Sequence, residues 1–438
     1  MKQLTLKVGN RARFFLLMSL LYACVLLKSL LQLNILSVAF IVIPALIAIT
    51  GDSDEIIAIC LCCIPFYTVL KFHYIVCISV IVYLVKYAYK IKFGFSLIIV
   101  MTLIIWEVLH CFLGKFDLKY LIVFVIPYLF LVVLISTHNI DVDYGFIVRV
   151  FSATTCFSCI VFIIRLFIMV EFDIDMSFLL MNRLGQISEN ETQEFMMNPN
   201  TLGVLCTLSI TSLLQLKIFN QGKSFDMVMM LIIFVMGLLT LSKTYLACLL
   251  IMILMFSIFL WKKGDAKAHV FLRIVGTLLI SVIVAVFLFP SVFDAFISRF
   301  MVEDITSGRM KLFEQFNEHF VSSPSGLLFG VGMLDFYNKA ISVADSVPHN
   351  SVQEILFAWG IPGLILIVSF IVAMVLRSKN ENRGQQLVNF IPLIIILSKA
   401  QVGQMITSNY TMLSFALIYL SLCQDFSTNR QTEQIKSK

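Results

Sequence analysis

Apolar runs recur along this chain at close intervals, and they leave few folds open to it. A helix needs about 20 predominantly apolar residues to cross a bilayer. Runs of that order predict spans at 14–31, 34–50, 56–70, 74–86, 94–113, 119–137, 146–170, 198–217, 226–243, 244–261, 270–290, 350–376, 387–405 and 408–424. That is fourteen. The third and fourth are short, and without them the number is twelve with the later topology unchanged. Hydrophobic residues make up 60% of the 438 and charged residues 13%, against about 25% charged in a soluble domain. The expectation is therefore an all-α, polytopic membrane protein of about 12–14 transmembrane helices. The basic start is followed by no small-residue cleavage site, so the first run is read as a retained span rather than a signal peptide.

Lysine and arginine set the orientation, because they concentrate on the cytoplasmic side. With the N-terminus inside, the inner segments carry twenty of them and the outer segments nine; Lys28, Arg165 and Lys399 lie within spans. Both termini are expected in the cytoplasm. The two long loops, about 171–197 and 291–349, then face outward. No repeat or linker divides the chain, which is read as one polytopic domain over 1–425 with a short polar tail, 426–438. A net charge of +6 is accounted for by this topology and calls for no nucleic-acid partner. All eleven cysteines fall in or beside apolar runs, which argues against external disulfides. Cys156-x-x-Cys159 sits inside a span without a partner pair and reads as small buried hydrophobes.

Chemistry-bearing residues collect on the outer side. The first long loop is acidic. Its Asp173-Ile-Asp175 has the spacing of metal-binding carboxylates in some glycosyltransferases, and the simpler reading is a solvated acidic face. In the second loop Thr306-Ser307 offers a cap for a helix from about Arg309. Met310, Phe313, Phe316 and Phe320 then share one face, suited to lying on the membrane surface or to packing on the bundle. Phe329-Gly330-Val331-Gly332 lacks the glycine spacing of a phosphate loop. Ionisable groups inside spans are costly and usually face a cavity. Glu107, His110, Arg165, Lys243 and Lys399 all fall in the outer half of their runs. Glu107 and His110 share a helix face, and together the set suggests a polar, mainly cationic cavity open to the outside.

An ordered series of short motifs follows: Arg183 in an external loop; Asn198-Pro199-Asn200-Thr201-Leu202-Gly203; Leu239-Thr240-Leu241-Ser242-Lys243-Thr244; Ser307-Gly308-Arg309; Gly330-x-Gly332; Pro348-His349-Asn350; and Trp359-Gly360-Ile361-Pro362-Gly363. The series resembles the O-antigen polymerase and ligase superfamily of bacterial envelope glycan enzymes over roughly 180–365. The resemblance implies a GT-C-like fold, in which a large external loop caps an outward-facing cavity. It implies a cofactor-free, metal-independent glycosyltransferase of the bacterial inner membrane. Its donor and acceptor are oligosaccharides linked to polyprenyl pyrophosphate, and a flippase and a chain-length regulator are candidate partners alongside membrane lipid. Catalytic roles carried over fall on His349 as base and on Arg309 and Arg183. Substrate-binding roles are expected for Lys243, Arg165, Asn350, Arg299, Glu107, His110 and Lys399. The family often has arginine where this chain has Lys243, which keeps the charge but not the bidentate fork. The function implied is a polysaccharide polymerase for O-antigen, capsule or exopolysaccharide. The alternatives are a ligase-type glycan transferase using the same site, or a lipid-linked oligosaccharide flippase.

Overall fold

The structure is a computed structural model. It describes residues 2–31, 33, 35–67, 70, 72–92, 94–114, 116–137, 142–169, 184, 197–263, 266–288, 290, 297, 308–377, 383–401, 403 and 409–424. Among the described residues every named element is helical, and the one β contact is an isolated bridge between Ile91 and Thr137. The helices are α1 (Lys2–Leu31), α2 (Leu36–Thr50), α3 (Ser53–Cys62), α4 (Phe72–Tyr87), α5 (Phe95–Leu113), α6 (Leu118–Ser136), α7 (Tyr144–Met169), α8 (Pro199–Ile218) and α9 (Ser224–Leu239). They continue with α10 (Lys243–Lys263), α11 (Ala266–Leu288), α12 (Arg309–Ser322), α13 (Pro324–Phe329), α14 (Met333–Ala344), α15 (Ser351–Arg377), α16 (Arg383–Asn389), α17 (Ile391–Ala400) and α18 (Asn409–Cys423).

Each of the fourteen predicted runs holds helix. Among the described residues seven helices are long and apolar enough to cross a membrane, and five shorter apolar helices accompany them. The protein is an all-α, polytopic membrane protein. The run 387–405 breaks into α16 and α17 at Phe390, and α17 stops at Ala400. Pro392 stands in the first turn of α17, where its missing N–H costs nothing. The eleven cysteines are free, and all but Cys77 and Cys423 are buried.

Helix ends are closed by short polar side chains that reach orphaned backbone amides. Asp52 accepts from the Glu55 N–H (3.1 Å), Asp117 from that of Tyr120 (3.0 Å) and Asn198 from that of Asn200 (2.9 Å). Helix α8 is the hub, buried along almost its whole length and packed by α7, α9, α10 and α17. Gln215 in α8 takes a hydrogen bond from the Tyr144 hydroxyl (2.8 Å) and donates to the Val388 carbonyl (2.8 Å) and Ser421 Oγ (3.0 Å). One amide thus joins α7, α8, α16 and α18.

Polar groups sort to the two ends of the bundle. At the end holding Gln215, Arg11 reaches Asp143 (2.7 Å) and Asp54 (3.6 Å), Arg13 reaches Glu55 (2.9 Å) and Arg149 reaches Asp226 (3.1 Å). The Lys86 ammonium donates to the Ala48, Ile49 and Gly51 carbonyls around the end of α2. The opposite end carries α12–α14 and the residues singled out from the sequence.

The sequence offers Thr306-Ser307 as the cap of α12. Its cap is Gly308, at φ +75°, with no side-chain cap bond; Thr306 and Ser307 lie outside the described residues. Its apolar face divides. Phe316 and Phe320 are buried, while Met310 and Phe313 are exposed. The helix packs on the bundle through one half of the stripe and leaves the other half uncovered.

Candidate active site

The site is organised by a break in α15. At Gly360 the backbone takes φ +65°, ψ −164°, a region essentially restricted to glycine, and Pro362 two residues later has no N–H to give. Three carbonyls of the preceding turn therefore lose their normal helical donors. Backbone from the α13–α14 junction replaces two of them: Val331 N–H donates to Phe357 O (2.9 Å) and Gly332 N–H to Ala358 O (2.8 Å). The Trp106 indole serves the third, Trp359 O, at 3.1 Å. The two chains approach so closely that a Cβ on Gly330 would collide with the Ala358 carbonyl, and one on Gly360 with that of Leu328. Broken backbone inside an apolar body must be satisfied by protein, and this junction is how it is satisfied. The Gly-x-Gly and Trp-Gly-Ile-Pro-Gly motifs, which begin at Gly330 and Trp359, are two halves of one joint.

Glu107 and His110, on adjacent turns of α5, both face this joint. The Glu107 carboxylate is fully buried. It accepts the Trp359 indole N–H (2.6 Å), the Met333 N–H on both oxygens (3.1 Å each) and the Tyr120 hydroxyl (3.4 Å). His110 sets Nδ1 against Trp106 O and Nε2 against Phe329 O, each at 2.9 Å. Gly332, at φ +76°, lies on its ring, where a Cβ would come within 2.8 Å of the His110 Cβ.

Phe357, two residues before Trp359, carries the loop helices. Its ring centroid lies 5.3 Å from that of Phe316, 5.6 Å from His319 and 5.8 Å from Phe336. One turn earlier Gln353 donates to Phe313 O (2.8 Å) and Asn317 Oδ1 (2.9 Å). Helix α12 is thereby fixed on the first half of α15, and its first residue is Arg309.

His349 stands immediately before α15, half-buried. Burial pushes its imidazole below the ordinary value, and the positive charge of Arg309 pushes it the same way. Two of the three sequence-predicted catalytic residues are thus electrostatic neighbours. No hydrogen bond from the described residues reaches the His349 ring. Asn350 caps the helix, its Oδ1 accepting from the Val352 and Gln353 amides (2.9 and 3.3 Å). Its Nδ2 reaches the Gln401 carbonyl (3.3 Å), and Ser351 Oγ donates to Gly403 O (3.0 Å). The histidine is therefore tied from behind to the end of α17.

The α9–α10 turn forms the third part. Leu241 takes a positive φ of 46°, Ser242 Oγ caps α10 by accepting the Tyr245 N–H (3.1 Å), and the same hydroxyl donates to Asn200 Oδ1 (2.8 Å). The Asn-Pro-Asn and Leu-Ser-Lys-Thr motifs meet here, and Lys243 opens α10, half-buried. Lys399, near the end of α17, is buried and interacts electrostatically with Glu354, itself fully buried. Arg165 is directed elsewhere, donating to the Ser29 carbonyl at the end of α1 (2.9 Å). Arg183, Arg299 and the Asp173–Asp175 pair lie outside the described residues. Among the described residues no cluster of three His, Cys, Asp or Glu could hold a metal ion.

Residues 228–368 match the family model described as O-antigen ligase. This match supports membership of the O-antigen polymerase and ligase superfamily. No curated protein matches the chain significantly. The O-antigen ligase segment contains Lys243, Arg309, both halves of the glycine joint, His349 and Asn350, and leaves Glu107, His110, Arg165 and Lys399 outside. The match supports an O-antigen polymerase/ligase-type function in general.

Sequence reasoning missed Glu354, Gln353 and the indoles of Trp106 and Trp359. Glu354 had a signal: it is the one acidic residue of the apolar run 350–376, and an ionisable group in such a run marks a functional position. The others had none, since their partners are more than thirty residues away.

Proposed function

We propose that the protein is a polysaccharide polymerase, a single polytopic domain over 1–425 that joins polyprenyl-pyrophosphate-linked repeat units on the outer face of the cytoplasmic membrane. The observation that carries this reading is the pairing of Arg309 with His349 at the start of α15, inside the matched segment. In the reaction the acceptor hydroxyl oxygen forms a bond to the anomeric carbon of the donor. The bond from that carbon to the pyrophosphate oxygen breaks, and the lipid pyrophosphate leaves with the electron pair. His349 takes the hydroxyl proton. A positioned base of this kind contributes about 10²–10⁴-fold, and a depressed pKa keeps the ring neutral to lower pH. Arg309, with Arg183 and Lys243, meets the negative charge that develops on the leaving group, arginine gripping two oxygens at once. With these cations in place the reaction requires no metal.

The family description favours a second reading, a ligase that moves finished glycan to another acceptor through the same site. The two separate in a deletion strain. A polymerase leaves single repeat units on the lipid carrier, and a ligase leaves full-length polymer there. Normal surface glycan of normal length in the deletion strain rules out both.

A further inference from the structure

Glu107 joins the helices that follow α12 to the apolar body through one buried carboxylate. An ionised carboxylate offers about four lone-pair directions. Met333 N–H on both oxygens, the Trp359 indole on one and the Tyr120 hydroxyl on the other occupy them. Nothing remains for a sugar hydroxyl. These donors come from α6, α14 and α15, so one buried group on α5 fixes three other elements. His110 completes the arrangement. Both of its nitrogens face carbonyl oxygens, that of Trp106 in its own helix and that of Phe329 at the end of α13.

We propose that Glu107 and His110 are a clasp that positions the catalytic loop, and are not substrate ligands. The clasp holds Met333 and Trp359, the residues that flank the glycine joint on its two strands of chain. Phe357, next to that joint, seats Phe316, and α12 begins with Arg309. A change in the seating of Trp359 is therefore passed to the position of Arg309 relative to His349. The functional half of this inference rests on the polymerase reading; the structural half does not.

Glu107→Gln keeps the volume and replaces one acceptor oxygen by an amide NH2 that confronts donors. The test uses the full chain in lipid vesicles, with hydrogen–deuterium exchange and turnover of lipid-linked repeat units measured on the same preparation. Exchange of the Val331, Gly332 and Met333 amides is expected to quicken, and kcat to fall on the order of 10²-fold, the cost of misplacing reacting groups by about 1 Å, while KM holds. Trp359→Phe removes one donor, moves both readouts the same way, and adds little in the double variant, because the two residues act as a unit. If Glu107→Gln fails to insert, Trp359→Phe alone carries the comparison. Unchanged exchange overturns the clasp. Quickened exchange with wild-type kcat overturns its positioning role, and a raised KM at unchanged kcat returns Glu107 to substrate binding. A wild-type protein that turns over no lipid-linked units sinks the polymerase reading, and the exchange comparison still decides the clasp.

Discussion

Adding a single methyl group at Gly360 tests the joint that organises the site. Gly360→Ala forces an L-residue into φ +65°, ψ −164°, at a cost of about 1–3 kcal/mol. It also drives a Cβ against the Leu328 carbonyl, which separates the two chains and breaks the bonds from Val331 and Gly332 to Phe357 and Ala358. Each is worth about 0.5–1.5 kcal/mol, so the total loss is about 2–6 kcal/mol. That is a large part of the roughly 5–15 kcal/mol that holds a typical protein folded. Gly276→Ala is the control. It lies in α11 with nothing within 4 Å of the added Cβ, and alanine there is expected to be neutral or to stabilise by up to about 1 kcal/mol. The assay is thermal unfolding of the purified protein in detergent, with exchange at Val331 and Gly332 as a local readout. If Gly360→Ala matches Gly276→Ala in both, the joint does not hold the loop, and the account of the two glycine motifs fails.

Removing the charge of Arg309 takes away one of the two effects that depress the His349 pKa. In Arg309→Gln the acid limb of the normalised pH–rate profile should therefore move to higher pH, and an unmoved limb means that His349 is not the titrating base. His349→Asn should insert normally and lose turnover, because Asn350 already caps α15; near wild-type turnover removes the base assignment. At the far end of the bundle, burial works to raise the Asp143 pKa, but the Phe146 N–H and the Arg11 guanidinium outweigh it, and the net shift is downward. Its contribution is present above the ordinary carboxylate value and is lost as pH falls through the lowered one. Asp143→Asn should accordingly flatten the decline of stability in acid, read as the unfolding temperature against pH.

Hydropathy by itself determined the class of fold and the placement of the helices, because a bilayer accepts little besides apolar segments of fixed length and each segment satisfies its own backbone. The sequence also marked the positions that matter. Pro348-His349-Asn350 reads as a helix entry, and Asn350 makes the cap that its residue type promises. An acid and a histidine three residues apart in an apolar run announce a shared face, and Glu107 and His110 share one. Their partners were not legible. Glu107 meets Met333 and Trp359 across more than two hundred residues, and no local pattern encodes which donors a buried carboxylate receives. The same distance hid the purpose of the glycines. Gly330 and Gly360 each look like an isolated turn residue, and only their collision-limited approach in the folded chain shows that one exists to admit the other. Tertiary structure also divided the apolar stripe of α12, because periodicity fixes which residues share a face but not how much of that face the bundle covers.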